Sequence, residues 1–218
     1  MALPDAVPHL RHGPVVLRAF EERDADLVVS AASDDLIPWI TTVPTSGSRR
    51  DAVEYIARQH SRLQSGAGYP FAIANSETDE AVGQIGLWLR DIDEARATMG
   101  YWIGLGYRRR GYLTAALGAL TDWALQLDEV ERLQLFVEPC NEGSWRAAER
   151  CGYQREGLLR SWQQVGSLRK DMYVYSVVSG ASSQGRRPAG SRSGRRSTST
   201  RPGPGSGVRV SGTDLHRA

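Results

Sequence analysis

The chain has 218 residues, 40% of them hydrophobic and 24% charged, which fits a water-soluble globular protein of one domain with extra segments. The 27 basic and 25 acidic residues nearly cancel, but residues 1–178 carry a net charge of −5 and the remaining segment carries +7. The first ten residues lack the basic start and apolar core of a signal peptide, and no apolar run could span a membrane. We therefore expect a cytoplasmic protein.

The first half of the chain is predicted to begin with a loose leader and then to alternate strands with helices. Asp24 is positioned to cap a first helix, and Ser48 or Arg49 begins a longer helix whose apolar residues recur at helical spacing. The predicted elements are a leader over 1–13, a strand over 15–20, a helix over 25–32, a loop over 34–47, a helix from 48 or 49 to 65, and strands over 69–75 and 81–89.

The second half is predicted to pass from a strand through a glycine-rich turn into a helix, and then to repeat strand and helix. Asn141 can cap the last helix and Gly152 can end it. The predicted elements are a strand over 96–103, the turn over 104–111, a helix over 113–127, a strand over 132–137, the helix from 141, a strand over 153–159, a loop over 161–169 and a strand over 171–178. Adjacent strands in the middle of the chain suggest hairpins, so we predict a mixed α/β sheet rather than a purely parallel one.

The turn over 104–111 has the composition of an anion-binding loop. It packs three glycines and three consecutive arginines into eight residues before a helix. The first N–H groups of a helix have no partner inside it, and the helix dipole adds partial positive charge there. A phosphate suits such a cradle. It is not a Walker loop, because no Gly-Lys-Ser/Thr follows, and it is not a dinucleotide fingerprint, because Arg109 stands where the third glycine belongs.

The segment Arg108-Arg-Arg-Gly-Tyr-Leu113 resembles the Arg/Gln-x-x-Gly-x-Gly/Ala signature of the GNAT N-acetyltransferase superfamily, with Leu113 in place of a small residue. After it come a strand, Asn141 and Ser144 on a helix, and then Gly152-Tyr153. This order is similar to the RimJ/RimL-like branch, the ribosomal-protein alanine and serine N-terminal acetyltransferases. The resemblance covers roughly residues 14–178, which we interpret as the acetyltransferase domain.

The resemblance implies a GNAT fold, an α/β architecture with a mixed, mostly antiparallel central sheet of about six or seven strands flanked by about four helices. It implies acetyl-CoA as co-substrate, with the pantetheine arm in a gap where the strand over 99–103 splays from the strand over 133–137. The residues that it assigns to cofactor binding are Trp102, Ile103, Gly104, Arg108, Arg109, Arg110, Gly111, Tyr112, Leu113, Thr114, Asn141 and Ser144.

The family's chemistry, carried over by this resemblance, is direct attack of an amine on the thioester in a ternary complex. Relatives often protonate the leaving thiolate with a tyrosine where Ala148 stands here, so Ser144 becomes the candidate acid. Glu138 is the candidate general base, with Asp91 and Asp93 as alternatives, and a chain of water molecules could serve equally. No metal is expected.

The acceptor is expected to be a primary amine, either the α-amine of a protein or peptide N-terminus or a small-molecule amine. An α-amine has a pKa near ~8 and a lysine side chain a pKa near ~10.4, so the former loses its proton more easily when no strong base is evident. Trp39, Trp88 and Trp162 lie on segments that could line the acceptor side. The protein is expected to be a monomer or a homodimer, with no membrane partner.

Two other functions fit parts of the sequence. A thiol hydrolase could use Cys140, but it would need a histidine partner, and of the four histidines only His60 lies inside the predicted fold. A non-catalytic acyl-CoA-binding or RNA-binding module could use the arginine loop and the basic tail. Cys140 and Cys151 are too far apart along one helix for a disulfide, and we expect free thiols.

Residues 179–218 are rich in Ser, Gly, Pro and Arg and almost without apolar residues, so we predict a disordered tail. Deleting residues 180–218 is therefore expected to leave both the melting temperature and acetyl transfer to small amines unchanged. A thermal melt and a rate assay on the truncated chain check this, and a large drop in melting temperature would contradict it.

Overall fold

The computed structural model describes residues 1–180, so the predicted tail lies outside the described residues from 181 onward. Within residues 1–180 the chain forms eight strands and five α-helices. They are β1 Leu10–His12, β2 Val15–Arg18, α1 Ala25–Ala31, α2 Ile37–Ile40, α3 Arg49–Gln64, β3 Gly68–Asn75, β4 Ala81–Trp88, β5 Arg96–Ile103, α4 Tyr112–Ala124, β6 Arg132–Val137, α5 Glu142–Arg150, β7 Gln154–Val165 and β8 Leu168–Val178.

The eight strands form one sheet in the order β1-β2-β3-β4-β5-β6-β8-β7. Every neighbouring pair is antiparallel except β5 and β6, which run parallel. The prediction of a mixed, mostly antiparallel sheet is confirmed, with slightly more strands than expected.

The strand that the sequence analysis did not predict is β1, which lies inside the supposed loose leader. Leu10 to His12 pairs with Val15 to Leu17 on β2. Leu3 and Val7 pack on the main core, and the Tyr69 hydroxyl donates a hydrogen bond of 2.6 Å to the carbonyl of Pro4. The leader is therefore fixed against the sheet, because its few apolar side chains find a ready apolar surface.

Two cores lie on opposite faces of the sheet. On one face α4 buries Leu117, Leu120 and Trp123 against Phe71 and Leu87 of β3 and β4. On the other face α1 and α3 form a second core that also contains Ala72 and Trp102. Successive residues of a strand point to opposite faces, so β3 and β5 contribute alternate side chains to each core. Burial of each large aliphatic side chain here contributes on the order of 2 kcal/mol.

Of the two predicted N-caps, Asn141 caps its helix through its side chain and Asp24 does not. Ser48 caps α3 by accepting a hydrogen bond from the Asp51 N–H, and Asn141 caps α5 by accepting one from the Ser144 N–H. Asp24 sits at the N-cap position of α1 but makes no side-chain cap bond. Its carboxylate instead accepts two hydrogen bonds from the Arg18 guanidinium, at 2.8 and 2.9 Å, and one from the Glu21 N–H.

The loop predicted over 161–169 is instead the end of a long β-hairpin. β7 continues to Val165 and β8 starts at Leu168, with the turn at Gly166 in the left-handed region at φ +58. The pairing shifts register between Leu159 and Gln163. Most residues of β7 are exposed, so the segment carries little of the apolar alternation by which a strand is recognised in a sequence.

Candidate active site

The central feature of the sheet is a gap between its two parallel strands. β5 and β6 pair only from Arg96 to Thr98 on one strand and from Arg132 to Gln134 on the other. Beyond these residues both strands continue without pairing to each other, so they diverge toward their carboxyl ends. A cavity of about 1110 Å³ occupies this region. It is lined by residues of both strands, of the turn over 104–111, of α3 and of α5. Its size and its mixed apolar and polar lining suit a large organic ligand.

The start of α4 forms one wall of this cavity. Arg109 and Gly111 both have positive φ, +63 and +83, so the backbone turns twice before the helix begins. The first helical hydrogen bond at this end runs from the Ala115 N–H to the Gly111 carbonyl at 3.1 Å. The N–H groups of Tyr112, Leu113 and Thr114 thus have no acceptor within the helix. A Cβ built on Gly111 meets no atom within 4 Å, so the space beside this residue at the helix start is open.

The three arginines of the turn have different surroundings. The Arg108 guanidinium donates to the Asp34 carboxylate at 2.6 Å and to the Ile103 carbonyl at 3.0 Å. Its charge is already paired, so it fixes the turn to the first half of the chain. Arg109 and Arg110 are exposed and have no ion pair among residues 1–180. Arg109 borders the cavity, whereas Arg110 lies outside its lining with its guanidinium 6.0 Å from the Tyr107 ring centroid.

The other predicted cofactor residues on this helix use their side chains for packing. The Tyr112 hydroxyl accepts a hydrogen bond of 2.8 Å from Asn75, and Leu113 packs on the main core. The Thr114 carbonyl accepts one from the Cys151 thiol at 3.3 Å. What Tyr112, Leu113 and Thr114 offer to a ligand is therefore their backbone N–H.

Several polar groups of the predicted cofactor residues at the end of β5 already form hydrogen bonds within the protein. The Trp102 indole N–H donates to Gln84 at 3.2 Å inside the second core. The Ile103 carbonyl is bonded by Arg108, and the Gly104 N–H donates to the Val82 carbonyl at 2.9 Å. Trp102 and Ile103 border the cavity, and Gly104 does not.

A hydroxyl pair bridges from β5 to the start of α5. Ser144 is buried and its hydroxyl lies 2.8 Å from that of Tyr101. Burial raises the pKa of Tyr101 to about 12, so this hydroxyl keeps its proton at neutral pH. Tyr101 is not among the site residues predicted from the sequence, although it lies on β5 directly before the predicted cofactor residue Trp102. Ala148, at the position where relatives carry a tyrosine, is fully buried and apolar.

Of the carboxylates considered as bases, Glu138 and Asp91 border the cavity and Asp93 does not. Glu138 has no cationic partner within 4 Å among residues 1–180, and its one side-chain contact there is the Cys140 thiol at 3.7 Å. Thr98, which also borders the cavity, accepts a hydrogen bond from Gln134 at 3.2 Å.

Within residues 1–180, no histidine is bonded to Cys140 as the thiol hydrolase alternative would require. His60 lies on the exposed side of α3, and its Nε2 is 2.8 Å from the carbonyl of Phe20. Cys140 is an exposed free thiol whose nearest titratable partner is Glu138. Cys151 is also free, and burial raises the pKa of its thiol to about 11, which keeps it protonated and unreactive.

Of the three tryptophans considered for the acceptor side, Trp88 borders the cavity. Trp162 stacks on Phe136 with 5.6 Å between ring centroids, outside the lining. Trp39 is 58% exposed and lies near the turn at Gly166, where a Cβ would approach its ring to 3.6 Å. None of the helices in residues 1–180 is long and apolar enough to cross a membrane.

Comparisons with known proteins agree with this geometry. A family model described as an acetyltransferase (GNAT) domain matches residues 15–154. An uncharacterized N-acetyltransferase, p20 of Bacillus licheniformis, is 28% identical over 167 residues, which cover 75% of this chain and 92% of the relative. The structure of Mycobacterium smegmatis RimJ in complex with a CoA-disulfide is 26% identical, covers 85% of this chain and 93% of its own, and superposes with a TM-score of 0.68.

A RimL structure, a ribosomal L7/L12 alpha-N-protein acetyltransferase, shares the fold at 17% identity, with a TM-score of 0.68 over 78% of this chain and 98% of its own. The chain belongs to the GNAT acetyltransferase family. It is an acetyl-CoA-dependent acetyltransferase, and the resemblance to RimJ and RimL proteins is confirmed.

Proposed function

We propose that the protein transfers the acetyl group of acetyl-CoA to a primary amine, either a protein N-terminal α-amine or a small-molecule amine, by direct attack in a ternary complex. The observation that carries the proposal is the gap between β5 and β6, which opens beside the free N–H groups at the start of α4. Acetyl-CoA supplies an activated acyl group and a diphosphate, and this cavity offers an apolar slot next to an anion site.

The start of α4 is proposed to hold the diphosphate. The N–H groups of residues 111–114 point out of the helix end, and the dipole adds positive charge there. Arg109 and Arg110 add two cations without a carboxylate partner in the described part of the chain. Asn141 is proposed to orient the pantetheine arm while its Oδ1 caps α5, where it accepts the Ser144 N–H at 3.2 Å.

Ser144 and Tyr101 are proposed to act together on the leaving thiolate. When the C–S bond breaks, the sulfur gains negative charge and needs a proton or a strong hydrogen bond. The Ser144 hydroxyl can donate it, and the Tyr101 hydroxyl, 2.8 Å away, can donate to Ser144 in turn. Because burial raises the pKa of Tyr101 to about 12, its hydroxyl keeps its proton at physiological pH and can donate it to Ser144.

Glu138 is proposed to receive the proton of the attacking ammonium, directly or through water. It borders the cavity and has no paired cation among residues 1–180, so its charge is available to an incoming amine. An α-ammonium with a pKa near ~8 needs only a weak base near neutral pH.

Replacing Ser144 by Ala is expected to lower kcat by about 10²-fold and to leave acetyl-CoA affinity nearly unchanged, because protonation of the thiolate matters only as the bond breaks. Tyr101→Phe is expected to have a smaller effect in the same direction. Ser176→Ala removes another buried serine hydroxyl and serves as the control, because neither Ser176 nor its partner Glu156 borders the cavity. Equal kcat in Ser144→Ala and wild type would remove Ser144 from the mechanism.

The function itself is tested by following coenzyme A release with a panel of amines. The panel contains a peptide with N-terminal Ser, Ala or Thr, its N-terminally blocked form with an internal lysine, and several aminoglycosides. We expect the free peptide to be preferred over the blocked one, for the pKa reason given above. Preference for the blocked lysine peptide would overturn the choice of acceptor, and binding of acetyl-CoA without acetylation of any amine would favour a non-catalytic module.

A further inference from the structure

The indole ring of Trp88 packs against three glycines on the α3 side of the sheet. Gly86 and Gly100 are register partners on β4 and β5, and Gly68 on β3 is the partner of Trp88 itself. A Cβ added to Gly86 would lie 2.5 Å from Cζ2 of the Trp88 ring, and one added to Gly100 would lie 3.0 Å from its Nε1. The indole therefore rests directly on the backbone of the sheet, and any larger residue at these positions would lift it.

Arg62 of α3 covers the other side of this ring. Its guanidinium carbon lies 4.9 Å from the Trp88 ring centroid, within the range of a cation–π contact. Two of its nitrogens are held in place, one donating to Gln59 at 2.9 Å and the other to Thr42 at 3.2 Å. A guanidinium with fixed nitrogens over a flat ring presents its remaining donors in one orientation.

This positioned cation has no counter-ion in the described part of the chain. No carboxylate lies within 4 Å of Arg62 among residues 1–180. The partial burial of Arg62 lowers the pKa of its guanidinium, and the like charge of Arg58 lowers it further. Arg58 stands one helical turn earlier, also without an ion pair in the described chain, and donates to the Thr42 carbonyl at 3.4 Å. Like charges at this spacing repel, so an anion placed between or beside them would stabilise both.

The location of Arg62 separates it from the diphosphate site. Arg62 and Trp88 border the same cavity as Gly100 and Trp102, but on the α3 face, whereas Tyr101 and Ser144 contact each other on the side of α5. The start of α4 already provides the anion site for the co-substrate. A second anion site on the α3 side is therefore left for the other substrate, the amine acceptor.

We propose that Arg62, stacked on Trp88, binds an anionic oxygen group of the amine acceptor, and that the preferred acceptor is a peptide N-terminus with a carboxylate side chain beside the reacting amine. This inference rests on the proposed acetyl transfer to an amine. Asp91 and Glu138 border the cavity as well, so the site can hold an acceptor that carries a cationic amine and an anion together. The bidentate match between a guanidinium and a carboxylate gives the recognition its geometry.

The test compares matched acceptors on wild type, Arg62→Gln, Arg62→Lys and Arg58→Gln. The acceptors are peptides beginning Ser-Asp, Ser-Asn and Ser-phosphoserine, together with free aspartate as a small acceptor. We expect wild type to use Ser-Asp over Ser-Asn by on the order of tenfold in kcat/KM, and Arg62→Gln to reduce that ratio to about one. Arg58→Gln should reduce it less, and Arg62→Lys should keep part of it.

Two controls separate the possible failures. Acetyl-CoA affinity by calorimetry should be the same in wild type and Arg62→Gln, which also shows that the variant is folded. Calorimetric binding of the Ser-Asp and Ser-Asn peptides in the presence of coenzyme A gives a readout that needs no turnover. Equal binding of both peptides to wild type, or an unchanged ratio in Arg62→Gln, overturns the inference, whereas selective binding without acetylation would overturn the proposed function and leave the anion site standing.

A higher rate with the phosphoserine peptide than with Ser-Asp would overturn the choice of a carboxylate while retaining an anion site. Use of free aspartate at the rate of the Ser-Asp peptide would overturn the choice of a peptide acceptor.

Discussion

Gly111→Asp is expected to weaken acetyl-CoA binding by on the order of 100-fold. The new carboxylate would stand in the open space beside the start of α4, where the diphosphate is proposed to bind. Two like charges about 5–6 Å apart repel by roughly 3 kcal/mol at an effective dielectric constant of 20, which corresponds to a factor of about 100 in affinity. Isothermal titration calorimetry with acetyl-CoA measures this directly.

Gly111→Asn is the matched control for that substitution. Gly111 has φ +83, a left-handed conformation that Asn and Asp tolerate better than other residues with a side chain. Asn has the shape of Asp without its charge, so any strain or steric effect is shared and the difference between the variants isolates the electrostatic term. Equal affinities of the two variants would contradict a diphosphate at this helix end.

Arg18→Met is expected to lower the free energy of unfolding by about 3–5 kcal/mol, because removal of one partner leaves a buried carboxylate uncompensated. Arg18 is 2% exposed and Asp24 is 4% exposed, and two hydrogen bonds join them. Arg18 also donates to Asp79 at 3.0 Å, which ties β2 to the turn between β3 and β4. A loss of this size is a large share of the 5–15 kcal/mol typical of a whole domain.

Arg23→Met is the control for Arg18→Met. Arg23 is an exposed arginine that contacts Glu21 and also Asp79, so it shares one partner with Arg18 but lies in solvent. Exposed ion pairs contribute little to stability, and we expect little change. Urea denaturation followed by circular dichroism compares the two variants, and equal midpoints would show that the burial of Asp24 does not matter.

Much of the fold could be predicted because local signals agree with the tertiary structure. The strand over 132–137 was predicted with its observed bounds. α3 begins at Arg49, one of the two predicted starts, and α5 begins directly after its predicted cap, Asn141. In each case the signal, a polar cap or an alternation of apolar residues, lies within a few neighbouring residues of the sequence. The helix predicted over 113–127 ends at Ala124 instead, although Leu127 is still buried.

The elements that could not be predicted depend on partners distant in sequence. β1 is only Leu10 to His12 and is a strand because β2 offers it an edge. Residues 161–165 show no alternation of buried apolar residues, and β7 extends to Val165 because Gln163 to Val165 pair with β8. Asp24 was assigned to a helix cap, but the buried Arg18 competes for its carboxylate with stronger, charge-assisted hydrogen bonds.

In the candidate site too, residues with a local sequence signal could be predicted and residues that depend on distant contacts could not. The loop over 108–114 could be found because glycines and arginines before a helix have a local physical meaning. Tyr101 and Arg62 could not be found, because a tyrosine in a strand and an arginine in a helix are ordinary residues in those elements. Their interest arises from contacts across the fold, Tyr101 with Ser144 and Arg62 with Trp88.

The most direct test of the central claim, that the gap between β5 and β6 is the co-substrate site, is amide hydrogen exchange with and without saturating acetyl-CoA. The N–H groups of residues 112–114 have no acceptor within α4, so they should exchange quickly in the free protein and slowly in the complex. We predict new protection over 109–114, along β5 from 99 to 103 and over 135–144, with none over 10–18 on the far edge of the sheet. Binding of acetyl-CoA with no change over 109–114 would contradict the account.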